Sequence, residues 1–543
     1  MIPDLLLPEA SVRIDLEQTR FAVTLAFAGS TSGGLFAEAL DRARVPASHW
    51  DPKGFAADLF LPRFVTQYFC IRSGARDLTL TAPSYLLRIV CQPPSDPAVV
   101  AFRSAILAEL VARPELEQSL SALHRDLGRL RALTEGTGGS RSFDANRQKL
   151  DTLATLKQIF DRMASEFETA TSGLARLSEF GREVQASEPY RSLGELLSYD
   201  QHLATLSLKI SVGADGQIRG FDVLSIEESH ANPFVNPFWR RWLAKLELFL
   251  RGYKFSQAEV LTRLIDSVFS GIDDKLAMVI QVLGDVELYL GALGFRAKAE
   301  AAGLAVCLPE VAGADETKEL EGLFNPLLFL NGQTAVPCDL VVEPSTSTTL
   351  VTGPNSGGKT RLLQSIALAQ VLAQSGLFVP ARRARVAMVT RLVASLIEGT
   401  KADQTEGRLG MEMLRIRDLF ERLPPHAMVL LDELCSGTNP SEGERIVELV
   451  LGMLHKLRPQ AFITSHFLAF AQRLEREGTV PGLSFLQVQL SPERRPTYQF
   501  KPGVADSSLA EATAERLGVT GDQLLELVEE NVRKHRTATS HGS

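Results

Sequence analysis

The sequence predicts an α/β fold for residues 311–543. A mostly helical region, residues 93–310, precedes it, and a small mixed α/β region, residues 1–92, begins the chain. Three observations carry this. Leu350-Val351-Thr352-Gly353-Pro354-Asn355-Ser356-Gly357-Gly358-Lys359-Thr360 reads as a buried strand, a glycine-rich turn and a helix start. Met428-Val429-Leu430-Leu431-Asp432-Glu433 is an apolar strand ending in two carboxylates. Between about 97 and 184 apolar residues recur at helical spacing, with no run of strand alternation.

In residues 1–92, Arg20–Phe27 (RFAVTLAF) is expected as a strand and Leu78–Val90 as one or two more, with a loop at Gly33-Gly34. Pro93-Pro94-Ser95-Asp96 breaks the chain and offers a helix cap. Phe102, Ile106, Leu107, Leu110, Val111, Leu120, Leu123, Leu127 and Leu130 then mark one long amphipathic helix. Gly136–Ser140 interrupts it. The pattern resumes from Asp144 to Val184 as a second, antiparallel one. Leu206–Glu227 alternates around Gly213–Gly216, which predicts a β-hairpin set among helices. Helices return over 237–302. Ala312–Glu321 is a surface connection, and strands and helices alternate over 322–535, closing with two helices around Gly518–Gly521.

Net charge is −8, so nucleic acid or an anionic membrane meets no global attraction, and any contact with DNA needs a local basic patch or a closed clamp. The five cysteines are scattered without a C-x-x-C pair, which excludes a disulfide framework and suits a reducing cytoplasm. No uncharged apolar run approaches the length of a membrane span, and the acidic start Met1-Ile2-Pro3-Asp4 lacks a signal peptide's basic region. A cytoplasmic protein without a membrane partner is expected.

Gly353, Gly358, Lys359 and Thr360 fit G-x-x-x-x-G-K-S/T. Glycines let successive N–H groups curl around a phosphate, and the following helix presents its positive end to the same anion. Gly353, Pro354, Asn355, Ser356, Gly357, Gly358, Lys359 and Thr360 are therefore the expected ATP cradle. Lys359 reaches the outer phosphates, and Thr360 and Asp432 hold Mg²⁺. Glu433 orients or deprotonates the attacking water. His466 ends the strand Phe462–His466; a lone histidine there is either structural or, beside the glycine-rich loop, placed to contact the γ-phosphate.

Together these residues resemble the MutS family of mismatch-repair ATPases, which are ABC-like P-loop NTPases. The P-loop run is close to that family's TGPNxGGKST. Val336–Leu340 is similar to its VPND segment, Gly376–Ala381 to G-x-x-VPA, Thr390–Ser395 to TRxGAS, and Ser465-His466-Phe467 to its histidine motif. Asp432–Gly443 resembles DELxxGTxPxEG, wording nearer to the second bacterial MutS branch. The resemblance implies a homodimer that clamps mismatched or branched DNA, with residues 93–310 as core and lever and residues 510–535 as a dimerising helix-turn-helix. Tyr498 falls where the family places a ring against adenine; a core aromatic is the other reading of that position.

Several features depart from the family. Gly407 stands where its signature serine reaches the partner's nucleotide, with Arg408 beside it. Phe36-Ala37-Glu38 has the letters of the DNA wedge, but with 28 phenylalanines in the chain a structural role is favoured. No small MutS-related nuclease domain is expected after the ATPase. The basic residues around Gly136–Ser140 (Arg125, Arg129, Arg131, Arg141, Arg147, Lys149) are candidate DNA contacts, with a solvated face of mixed charge as the favoured reading. Arg240-Arg241, among aromatics favoured as core, could stack on a base, and Arg382-Arg383-Ala384-Arg385, inside the ATPase domain, is expected to serve the site or the dimer. A MutS-like remodeller of a ribosome or other ribonucleoprotein is the alternative function.

Overall fold

The computed structural model describes all residues except 30–32, 74–75, 137–144, 204–205, 213–217, 227–256, 314–315, 330–331, 344–345, 397–407, 436–438, 507–520 and 540–543. The chain forms two compact units that cut across the three sequence segments. One comprises Met1–Arg44, Arg72–Tyr85 and Ala105–Leu290; the other comprises Val45–Ile71, Leu86–Ser104 and Gly291–Ser543.

Two expectations for the N-terminal region are corrected. Arg20–Phe27 lies within the helix Leu16–Phe27, not in a strand. Asp15 caps it by accepting the Gln18 N–H, and the burial of one helical face, Thr19, Val23, Ala26 and Phe27, overrides the β propensity of Phe21, Val23 and Thr24. Leu78–Val90 is mainly the helix Pro83–Cys91; among the described residues the strands beside it are Ile71–Ser73 (β1) and Arg76–Leu78 (β2). Proline at the start of that helix lacks the N–H that a first turn leaves unused.

The long helical region holds more elements than the two expected. Pro97–Ala112 and Pro114–Thr134 are separate helices, because Pro114 starts a new one and Arg113 takes a non-helical backbone. Ala145–Glu166 and Ala175–Ala186 follow. The latter two approach so closely that a Cβ at Gly181 would lie 2.5 Å from the Ala164 nitrogen. Leu206–Val212 (β3) and Ile218–Ile226 (β4) pair antiparallel, as the alternation requires.

The helix Asp273–Ala301 is long and apolar enough by composition to cross a membrane, but Asp285 and Glu287 interrupt its apolar run and 94% of its most apolar window is buried inside the protein, as in the core helix of a globular unit. In the first unit it carries Asp285, which is fully buried. Arg13 Nη2 pairs with Asp285 at 2.5 Å, Arg13 Nε with Asp4 at 3.2 Å, and the Tyr85 hydroxyl donates to Asp285 at 3.1 Å. Two carboxylates around one guanidinium leave little room for water, and burial pushes the Asp285 carboxyl up to about 6.

The second unit is built on a six-stranded sheet, order β10-β11-β12-β8-β13-β14. Its strands are Thr348–Thr352 (β8), Leu392–Ser395 (β10), Met428–Leu431 (β11), Gln460–Thr464 (β12), Leu483–Leu490 (β13) and Pro496–Pro502 (β14). The first five strands in that order run parallel, and β14 is antiparallel to β13. Every residue of β8 and β11 is buried, as central parallel strands require. The helix Pro440–Leu457 covers one face through Val447, Val450, Leu451 and Leu454. A second, four-stranded sheet has the order β5-β9-β6-β7, from Glu310–Ala312 (β5), Lys318–Leu323 (β6), Cys338–Val342 (β7) and Arg383–Ala387 (β9).

Earlier segments complete this unit. The Trp50 indole donates to the Val389 carbonyl at 3.2 Å, and Asp58 accepts the Leu396 N–H at 3.2 Å. Arg103, fully buried, donates to the Ser375 carbonyl at 3.1 Å. Gly376, in the left-handed region at φ +73°, allows this approach: a Cβ there would sit 2.8 Å from the Val100 carbonyl oxygen.

Candidate nucleotide site

The site assembles at the C-terminal ends of β8, β11 and β12, where open parallel sheets bind ligands. The turn after β8 needs backbone that side chains resist. Gly353 and Gly358 have φ of +140° and +89°, and Ser356 is left-handed at +67°. A Cβ at Gly353 would lie 2.6 Å from Val488 Cγ2, and one at Gly357 would lie 2.8 Å from the Pro354 carbonyl oxygen. At Gly353 and Gly357 the loop thus has no room for a side chain, and it leads directly into the helix Lys359–Gln374.

Lys359 is buried and folds back into this loop. Its ammonium donates to the Gly353 and Pro354 carbonyls at 3.0 and 3.2 Å and stands 3.9 Å from Glu433. Burial lowers its pKa, while the charges of Glu433 and Asp432 act the other way. An ammonium held by neutral carbonyls beside a glycine cradle suits an incoming phosphate.

Thr360 donates its hydroxyl to Asp432 Oδ2 at 2.6 Å. The other Asp432 oxygen accepts the Thr464 hydroxyl, also at 2.6 Å, and the Glu433 N–H donates to that same Thr464 oxygen at 2.7 Å. Glu433 sits in the left-handed region at φ +48°, as does Cys435 at +61°. The hydroxyl and carboxylate of Thr360 and Asp432 are the hard oxygen donors that Mg²⁺ prefers, and they are already adjacent.

His466 follows β12, exposed, with its ring 4.1 Å from that of Phe467. Tyr498 lies on β14 at φ +60° and is 47% exposed, so it is not a core aromatic. Its ring covers the loop: a Cβ at Gly358 would come within 3.2 Å of Tyr498 Cδ1. Lys359, Thr360, Asp432 and Glu433 are thus brought together, with Pro354, Asn355 and Ser356 in the same turn, and His466 follows the neighbouring strand β12. Thr464 is the member that sequence reasoning passed over; its signal is a polar residue directly after the apolar run Ala461–Ile463.

Other expected features are placed differently. Arg382, Arg383 and Arg385 pair with Glu310, Glu316, Glu319 and Glu321 across the second sheet. Arg147 pairs with Asp151 and Lys149 with Asp266, while Arg125 and Arg129 are exposed. Phe36 is fully buried. Gly407, Arg141, Arg240 and Arg241 lie outside the described residues.

Comparison with known proteins agrees with this arrangement. The family described as MutS domain V, the P-loop ATPase domain of MutS, matches residues 349–533. The protein named Endonuclease MutS2 of Thermus thermophilus is 30% identical over 309 residues, 56% of this chain and 39% of that protein. Its namesake in Streptococcus gordonii is 28% identical over 304 residues, 55% and 37%. Over these residues the chain is similar to proteins of the MutS family. It spans about two-fifths of the length of these MutS2 relatives. The glycine-rich loop, Asp432-Glu433 and His466, far apart in sequence, all lie within the residues that match this domain.

Proposed function

We propose that this chain is an ATP-dependent DNA-binding protein of the MutS type. It acts as a homodimeric clamp on mismatched, damaged or branched DNA, and ATP binding and hydrolysis switch its state. The observation that carries this is the convergence of Lys359, Thr360, Asp432 and Glu433 at the ends of β8 and β11.

Residues Gly353–Thr360 wrap the phosphates with backbone N–H groups, and Lys359 neutralises the outer ones. Thr360 and Asp432 would hold Mg²⁺, whose chemistry is to neutralise charge on the phosphate oxygens. Glu433 orients the attacking water and takes its proton, and His466 contacts the γ-phosphate. Tyr498 stacks on the adenine. Exposed Leu524, Leu525, Leu527 and Val528 on the last helix support pairing between copies. The free, mostly buried thiols suit a reducing cytoplasm. The relatives are named endonucleases; cleavage is not part of this proposal.

Two experiments test it. Glu433→Ala should lower steady-state ATPase by about 10²-fold or more while ATP binding persists; wild-type turnover in that variant removes Glu433 as the base. Binding to homoduplex, mismatched duplex, four-way junction and ribosomes, over a salt series, tests the clamp. Absence of DNA affinity at low salt, with and without ATP, overturns it, and ribosome binding would then move the assignment to a ribonucleoprotein remodeller.

A further inference from the structure

The ATP chemistry proposed above uses Asp432 and Glu433 but does not say what holds them. Neighbours in sequence, they have different tasks. Glu433 adopts a left-handed backbone, φ +48°, that a residue with a long side chain rarely takes. Such a conformation persists only where surroundings fix it. One side chain is positioned to do so, and it comes from a different strand.

Thr464 closes β12, which pairs in parallel with β11. It is buried, at 1% exposure. Its hydroxyl oxygen accepts the Glu433 N–H at 2.7 Å. With that lone pair engaged, the single hydroxyl hydrogen is free to donate, and it does so to Asp432 Oδ1 at 2.6 Å. Thr360 occupies the opposite oxygen, Oδ2. The hydroxyl therefore links the backbone of one carboxylate residue to the side chain of the other. Its own rotation is restricted by the γ-methyl of a β-branched residue.

We infer that Thr464 is a positioning residue of the ATPase site: its hydroxyl fixes the Asp432 carboxylate towards the metal position and holds the Glu433 backbone in its left-handed conformation, so that both carboxylates respond together when the metal nucleotide binds. This rests on the ATPase reading of the site. With a metal ion held by Thr360 and Asp432, the Thr464 bond at Oδ1 would still restrain the Asp432 carboxylate. The same Thr464 oxygen would couple that carboxylate to the Glu433 amide. Hydrogen bonding of this kind supports ligands without touching them.

Thr464→Val preserves shape and β-branching and removes the hydroxyl; Thr464→Ser keeps the hydroxyl. Hydrogen exchange at the Glu433 amide, measured in the full chain without nucleotide, should be at least about tenfold faster in the Val variant and near wild type in the Ser variant. The Mg²⁺ concentration for half-maximal ATPase should rise by about five- to tenfold in Val, with ATP affinity in EDTA unchanged, and Ser should restore it. Should Val fail to fold, Thr464→Ala carries the same expectations. Wild-type Glu433 exchange and wild-type Mg²⁺ dependence in a folded hydroxyl-free variant would overturn the inference while leaving the ATPase reading intact. A wild-type protein without ATPase would defeat that reading, and the exchange experiment would still decide whether the hydroxyl holds the Glu433 backbone.

Discussion

The Thr360 hydroxyl and Asp432 Oδ2 are 2.6 Å apart, joining the helix after the glycine-rich loop to the strand β11. The bond places side by side the two oxygen donors proposed to hold Mg²⁺. Preorganisation of this kind lowers the cost of assembling the site on binding.

Lys359 tests the cradle itself. Its ammonium is already desolvated and held by loop carbonyls, so exchanging them for phosphate oxygens adds an ionic contact without burying a new charge. Lys359→Ala should weaken ATP binding by about a hundredfold, ~3 kcal/mol, the scale of a lost charge-assisted contact. Equilibrium titration with a fluorescent ATP analogue checks this; an unchanged Kd would place the phosphates elsewhere.

How much of this could be read from the chain depends on how local the cause is. The glycine loop and its flanking strand and helix are set by neighbouring residues, and Leu350–Thr360 was legible as a unit. The carboxylates after β11 were legible because a four-residue apolar run has few other uses. Leu16–Phe27 was misread because Asp15 capping Gln18 is one weak local signal against several β-favouring side chains. Thr464 was invisible as a site residue: its role exists only when β11, β12 and the loop helix converge. The same holds for Asp58, which meets the Leu396 amide across 338 positions of sequence. Non-local contacts of this sort leave no periodicity to detect.

Asp285 gives a pH prediction for the first unit. Burial raises its carboxyl from 3.8 to about 6 in the folded chain. A raised folded value means that the native state holds the proton more tightly than the unfolded chain does. The resulting contribution is complete below about pH 4 and is lost as pH rises to about 6. Asp285→Asn removes this titration. The stability of wild type relative to Asp285→Asn should therefore shrink across that window, by about 1–3 kcal/mol. Urea unfolding of both proteins at several pH values is the measurement, and a difference independent of pH would contradict it.

Two helical glycines should respond oppositely to the same substitution. Gly194, in the helix Glu188–Leu203, has open space where a Cβ would stand. Gly194→Ala should stabilise the protein by about 0.5–1 kcal/mol by restricting the unfolded chain. Gly294, in the helix Asp273–Ala301, has the Cys70 carbonyl oxygen only 1.9 Å from that position. Gly294→Ala should cost about 3 kcal/mol or more, because backbone must move to admit the methyl group. Denaturation midpoints of the two variants separate the cases; similar shifts would mean that the contact at Cys70 yields easily.

Tyr498 completes the test of the site because it sits on a different strand from the phosphate machinery. Its left-handed backbone, at φ +60°, turns the ring out of the sheet, and the ring packs over the position of Gly358 while staying half exposed. An aromatic ring held over the loop and open on one side offers a stacking surface for a base. Losing such a surface to alanine costs about 1–3 kcal/mol per stacked base, so Tyr498→Ala should raise the Kd for ATP by roughly 5- to 100-fold. Tyr498→Phe keeps the ring and should bind ATP as wild type does. The affinity for inorganic triphosphate, which has no base, should be the same in all three proteins. Equal weakening of ATP and triphosphate in Tyr498→Ala would instead assign the ring to supporting the loop at Gly358.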